Sequence, residues 1–72
     1  MIINEKLKRK IGRRLRDARL NKNYTLRDVE KLTNISNSCI YKYENGKPLY
    51  SIKVLNCLCN AYNIKIEDLF NA

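Results

Sequence analysis

Apolar residues recur along this chain at helical spacing, in runs separated by short polar breaks. Leu7, Ile11, Leu15 and Ala18 share one face of a first helix, from about Glu5 to Leu20. Gly12 inside it costs about 1 kcal/mol against Ala, which predicts close approach by a neighbouring element. Asn21 to Asn23 interrupt the pattern, and Tyr24 is placed to pack under the next helix. That second helix opens at Thr25, with Asp28 three residues on at the spacing of a capping box, and Val29 and Leu32 on its apolar face. Asn34 stands where the chain must turn sharply, and Asn tolerates the left-handed conformation that such turns need. Ser36 caps a third helix, which Asn45-Gly46 and Pro48 stop. A fourth follows Ser51, with Ile52, Leu55, Leu58, Cys59 and Tyr62 inward, and Asn63 suits a left-handed cap. A short fifth helix carries Ile66, Leu69 and Phe70, although Lys65 stands where a Ser or Asp cap is expected. No β-hairpin signature, repeat or linker competes with this all-α reading.

The stretch TLRDVEKLTNISNSCIYKYENGK reads as two short helices joined by a tight turn, a helix-turn-helix. The common use of that arrangement is to set its second helix in the major groove of DNA. At about 100° per residue, Ile40 and Tyr43 point to the core, and Asn37, Ser38, Tyr41, Lys42 and Asn45 cluster on the opposite face. Asn37 can pair with both polar atoms of an adenine edge, Lys42 can donate to guanine, and Ser38 can serve several bases. Candidates for phosphate contact are Ser36 with its neighbouring amides, Tyr41, Asn45, Lys47 and, from helix one, Arg13 with Arg9 and Arg16. A merely solvated helix surface is the alternative, and for each helix-one arginine it is an equal one.

Length and charge narrow the possibilities. Seventy-two residues make one domain over 1–72, burying roughly 60% of the unfolded chain's surface and leaving no room for a large enclosed active site. No apolar run is long enough to span a membrane and no signal-peptide core is present, so a cytoplasmic protein is expected. Nine basic side chains against Glu5 and Asp17 in the first 22 residues supply seven of the eight net positive charges. Such a basic segment suggests a polyanionic partner. The chain has no His and only three Cys. Cys57 and Cys59 lie about 200° apart on their helix and cannot readily clamp one metal. Cys59 reads as core, Cys57 as partly exposed, and Cys39 as flanking the third helix, where oxidation could disturb binding if its pKa were lowered. No metal, cofactor or small-molecule ligand is expected, and no nucleophile–base pair suggests an enzyme.

IGRRLRDARLNKNYTLRDVEKLTNISNSCIYKYENGK followed by SIKVLNCLCNAYNIKIEDLF resembles the Cro and phage-repressor type of DNA-binding domain, also called the xenobiotic-response-element helix-turn-helix family. The likeness covers about residues 8–70. Its most specific elements are the Arg19 position, the turn Asn34-Ile35-Ser36 and the Glu44-Asn45-Gly46-Lys47 end of helix three. The resemblance implies a compact five-helix, lambda-repressor-like domain, with base reading from Asn37, Ser38 and Lys42 and the loop at Lys47 along the DNA backbone. It also implies an ion pair of Arg19 with Glu44 that orients helix three. Two positions depart from the pattern: Leu26 stands where the family has a Gln that contacts a DNA phosphate, and Glu30 where it has a small Ala against which helix three packs closely.

The combined expectation is a sequence-specific transcriptional regulator of double-stranded DNA, a repressor acting as a homodimer on a palindromic operator. The chain ends after helix five without a further oligomerising domain, leaving helices four and five or Met1-Ile2-Ile3 as dimer surface. The alternative is a protein-interaction module, such as an antitoxin or the partner of an antirepressor, with secondary DNA binding.

Overall fold

The polar breaks fall where the chain turns. The computed structural model describes residues 4–46 and 50–71, which form α1 (Glu5–Asn21), α2 (Leu26–Thr33), α3 (Asn37–Glu44), α4 (Ile52–Tyr62) and a final 3-10 turn, Ile66–Leu69. Each helix starts on a side-chain cap. Asn4 accepts from the Leu7 N–H at 2.8 Å, Thr25 from Asp28 at 3.0 Å, Ser36 from Cys39 at 3.2 Å and Ser51 from Val54 at 3.4 Å. The Thr25 N–H donates back to Asp28 at 2.8 Å, which completes the expected capping box. Asn34 and Asn63 take left-handed φ values of 62° and 58°, and Asn23 joins them at 60°.

The expected fifth helix is a four-residue 3-10 turn. Its N–H groups at Asp68 and Phe70 reach carbonyls only three residues back, Lys65 and Glu67, each at 3.0 Å. Between the corner at Asn63 and the fully buried Leu69 there are too few residues to wind an α-helix, and short segments take the tighter form. The Lys65 N–H finds its missing cap in the Asp68 carboxylate at 3.2 Å. Two residues expected inside lie outside: Leu32 is 59% exposed and Ile52 53%. Helix α2 is only eight residues long and buries Val29 alone, and Ile52 opens α4 ahead of the buried row that begins at Leu55.

Ile11 and Leu15 of α1, Val29 of α2, Ile40 and Tyr43 of α3, Leu55, Leu58, Cys59 and Tyr62 of α4, and Leu69 form the core. Helix α1 is the central strut, packing on α3, α4 and the 3-10 turn, while α2 packs on α3 and α4. Gly12 permits the closest of these approaches. A Cβ there would lie 2.8 Å from the Tyr43 carbonyl oxygen, with the Glu44 carbonyl nearer still. Tyr50, unremarked in the sequence pattern, closes the same junction. Its hydroxyl lies 2.9 Å from the Lys8 carbonyl and 2.7 Å from that of Tyr43, one of which accepts its proton at a time. Its ring meets Tyr43 edge-on at 5.0 Å, and the Tyr43 hydroxyl accepts the Ser51 N–H at 3.0 Å. Burial pushes the Tyr50 phenol up to about 12, so the hydroxyl stays a donor. On the far flank, an Arg14 N–H donates to the Asp68 carbonyl and ties the 3-10 turn to α1.

Gly12→Ala forces α1 away from the end of α3, and is expected to cost about 1–3 kcal/mol. Thermal melts should show a fall of roughly 4–8 °C per kcal/mol for a domain of this size; an unchanged Tm would refute the close approach. A second expectation concerns acid. The Thr25 backbone N–H, and next its side chain, hold the Asp28 carboxyl below the usual carboxylate range. Its contribution to stability is therefore complete above the unfolded value of about 3.9 and fades as pH falls through the lower folded value. Asp28→Asn should flatten the acid limb of urea midpoints measured between about pH 5 and pH 2.

Candidate nucleic-acid interface

A buried charge pair sets where α3 lies. The Arg19 Nε donates to Glu44 Oε2 at 2.6 Å and Nη2 to Oε1 at 3.0 Å, a bidentate pair whose side chains are only 10% and 5% exposed. The third nitrogen, Nη1, donates to the Tyr24 carbonyl at 2.8 Å, just before the cap of α2. One guanidinium thus joins α1, the start of α2 and the end of α3. The hydrogen-bonded Glu44 carboxylate holds the Arg19 guanidinium above its usual range, so the charge is permanent. Glu44 accepts two of these bonds and faces inward, which keeps its negative charge off the outer face of α3.

That outer face carries the residues singled out in the sequence. Ser36, Ser38, Tyr41, Lys42 and Asn45 are exposed, and Asn37 is half-buried, while Ile40 and Tyr43 fill the core side. The first turn of α3 holds no acidic residue. Of its amides, that of Cys39 is taken by the Ser36 hydroxyl and that of Asn37 by the Glu30 carboxylate, which sits at the positive end of the helix dipole. Ser36 and Ser38 lie with their hydroxyls 3.4 Å apart at this end. At the other end, the Asn45 amide donates to the Tyr41 carbonyl at 2.7 Å, so its side chain is partly committed to capping α3.

The basic residues of α1 divide between two surfaces. Arg16 lines a groove of about 380 Å³ with Arg19, Leu26, Tyr41, Glu44 and Asn45, beside the exposed face of α3. Arg13 lies instead in a cleft with Lys6, Arg9, Lys10 and Arg14, apart from that groove. Lys47 falls outside the described residues, as do Met1-Ile2-Ile3. Two contacts had no signal in the spacing. Glu30 of α2 reaches Asn37, accepting from its backbone N–H at 3.4 Å and its side-chain amide at 3.3 Å. Leu26, where the resemblance leads one to expect Gln, packs half-buried against the core.

Cys59 is buried, and burial pushes its thiol up to about 11, far from a reactive thiolate. Cys39 and Cys57 are half-buried free thiols. Among the described residues no group of His, Cys, Asp or Glu could hold a metal ion, and no helix is long and apolar enough to cross a membrane.

Residues 12–72 match the family model of the helix-turn-helix domain. The chain belongs to this family. Among solved structures, the clp gene regulator ClgR from Corynebacterium glutamicum is similar at a TM-score of 0.81 and 26% identity, over 89% of this chain and 68% of its own. The DNA-binding domain of BldD superposes with a TM-score of 0.83 over 92% of this chain and 96% of that one, and at 20% identity the likeness is one of fold. The BldD DNA-binding domain of S. venezulae gives 0.80, with 21% identity over 89% and 96% of the two chains. No curated protein sequence matches the chain. Within the helix-turn-helix domain, α2 and α3 are the paired helices, and residues 34–36 are the turn.

Removing one partner of a buried ion pair strands the other. Glu44→Ala is expected to destabilise the domain by about 3–5 kcal/mol, far above the 1 kcal/mol or less of exposed pairs. Denaturant unfolding decides it, and a loss below about 1 kcal/mol would show that the pair is solvent-screened.

Proposed function

We propose that this helix-turn-helix domain binds double-stranded DNA sequence-specifically and acts as a transcriptional regulator, with α3 in the major groove. The observation that carries the reading is the outer face of α3. Asn37 and Ser38 stand on it at the first turn and Lys42 in the last, and the only carboxylate of the helix, Glu44, is turned inward against Arg19. Asn, Ser and Lys are among the side chains whose donors and acceptors match base edges. Ser36, Tyr41 and Asn45 flank them at positions suited to phosphate oxygens, and Lys47, outside the described residues, remains a phosphate candidate on its sequence position alone. Arg16, beside Tyr41 and Asn45, is placed to join them. Arg13, in its separate cleft, would reach only backbone that curves past α1.

The names of the structural relatives point the same way: one is a gene regulator and the other a DNA-binding domain. A helix of eight residues spans few base pairs, so we propose a two-fold homodimer on a palindromic operator, acting as a repressor. Ile52, more than half exposed at the start of α4, offers apolar surface for such a dimer.

Base and phosphate contacts leave different signatures. Lys42→Ala should cost about 1–3 kcal/mol on the preferred operator and relax selectivity at one base position. Arg16→Ala should weaken all sequences alike and reduce the slope of log K against log salt by about 1. Affinities for single-base operator variants across a salt series measure both, and a salt-independent affinity would exclude DNA as the main partner.

A further inference from the structure

We propose that Glu30 is a positioning residue that fixes which edge of the Asn37 amide faces DNA, so that this position selects adenine over guanine. The inference rests on the proposed reading of α3 as the base-contacting helix. Glu30 sits half-buried in α2, against the first turn of α3. Its Oε1 accepts from Asn37 Nδ2 at 3.3 Å and its Oε2 from the Asn37 backbone N–H at 3.4 Å. Both oxygens of one carboxylate are therefore engaged by one residue.

The chemistry of the pair settles the orientation of the amide. A carboxylate offers only acceptors, so a carbonyl oxygen turned toward it is repelled and the NH₂ group must face it. Asn37 Oδ1 is then turned away from Glu30. Nδ2 carries two hydrogens, and Glu30 engages one of them. What remains free is an acceptor, Oδ1, beside the second N–H donor. That edge matches adenine, whose N6 amino group donates and whose N7 accepts in the major groove. Guanine presents acceptors at both O6 and N7, so Oδ1 would meet O6 in a repulsive contact. Without Glu30 the amide is free to turn through half a revolution, and the discrimination fades.

Glu30 also acts through its charge. The salt bridges among the described residues join Lys8 to Glu5 and Arg19 to Glu44, and neither includes Glu30. An unneutralised carboxylate beside the exposed face of α3 weakens attraction to any duplex, whatever its sequence. Affinity for the wrong site falls while the hydrogen bond preserves the right one, which is how specificity gains from a repulsive element. Leu26, at the first position of α2, carries no polar group that could take over this task.

The test begins with a pool of duplexes randomised over about two helical turns, from which the intact protein selects its preferred site. Adenine-to-guanine variants of that site are then titrated with the wild type and with Asn37→Ala, Glu30→Ala, Glu30→Met and Glu30→Gln. Wild type should prefer adenine at one position by about tenfold or more, and Asn37→Ala should abolish that preference. Glu30→Ala should bring it to within about twofold of unity and raise affinity for unrelated duplex about twofold, through the lost negative charge. Glu30→Met fills the space without an acceptor and should behave like Glu30→Ala, should the smaller residue unfold the domain. Glu30→Gln keeps a carbonyl acceptor and should retain most of the preference while showing the same rise in non-specific affinity. Full adenine preference in both Glu30→Ala and Glu30→Met, lost in Asn37→Ala, would overturn the positioning role and leave base reading by Asn37 intact. Preference retained in Asn37→Ala would overturn both.

Discussion

A guanidinium held inside the protein by a carboxylate and a carbonyl is the constraint on which the rest of the geometry depends. Arg19 and Glu44 bring a positive and a negative group out of water together, and bidentate geometry offsets the cost of doing so. A hydrophobic pair of similar volume would fill the space. It would not set the rotation of α3, because apolar contacts have no preferred direction. The fork of Arg19 does have one. With Nε and Nη2 on Glu44 and Nη1 on the Tyr24 carbonyl, the last turn of α3 is locked in azimuth against α1 and the start of α2. The Tyr62 hydroxyl is buried near this junction. Burial, and then the Glu44 charge, push that phenol upward, so it stays neutral.

Around this lock the contacts are of a simpler kind. Gly12 lets two backbones touch, and Tyr50 reaches over the same seam to the carbonyls of Lys8 and Tyr43. Together they place the end of α3 by steric exclusion, as the ion pair does by direction. The start of α3 is held by separate means: the left-handed Asn34, the Ser36 cap and the reach of Glu30 to Asn37. A short helix held at both ends can present its outer side chains in a fixed array without extensive burial of its own.

Helix positions and caps were legible in the sequence because they rest on local rules. Thr25 with Asp28, Ser36, Ser51, Asn34 and Asn63 each act within a few residues of themselves. The close approach at Gly12 was also legible, since a glycine inside a helix asks for a neighbour. The last element departs from its spacing: Ile66, Leu69 and Phe70 have helical periodicity, yet the segment is too short for an α-helix and takes a 3-10 turn. Leu32 and Ile52 fit the periodicity of a buried face, but periodicity cannot say how far a partner helix extends over it. The contacts of Tyr50 with Lys8 and of Arg14 with Asp68 span 42 and 54 residues, and no spacing rule announces them. Glu30 was visible as a departure from a pattern, while its partner emerged only when α2 and α3 were set side by side.

The uneven charge of α1 has a thermodynamic consequence. Lys6, Arg9, Lys10 and Arg13 crowd one cleft with Asp17 as their acidic neighbour, and their mutual repulsion is stored in the free protein. Added salt relieves that repulsion and firms up the fold, whereas the same salt displaces the protein from a polyanion. These charges are thus least screened in the unbound domain under the ionic conditions that favour association with a polyanion. A polyanion that reaches this cleft supplies the missing counter-charge, and mass action then returns to the fold the stability that its own charges withhold.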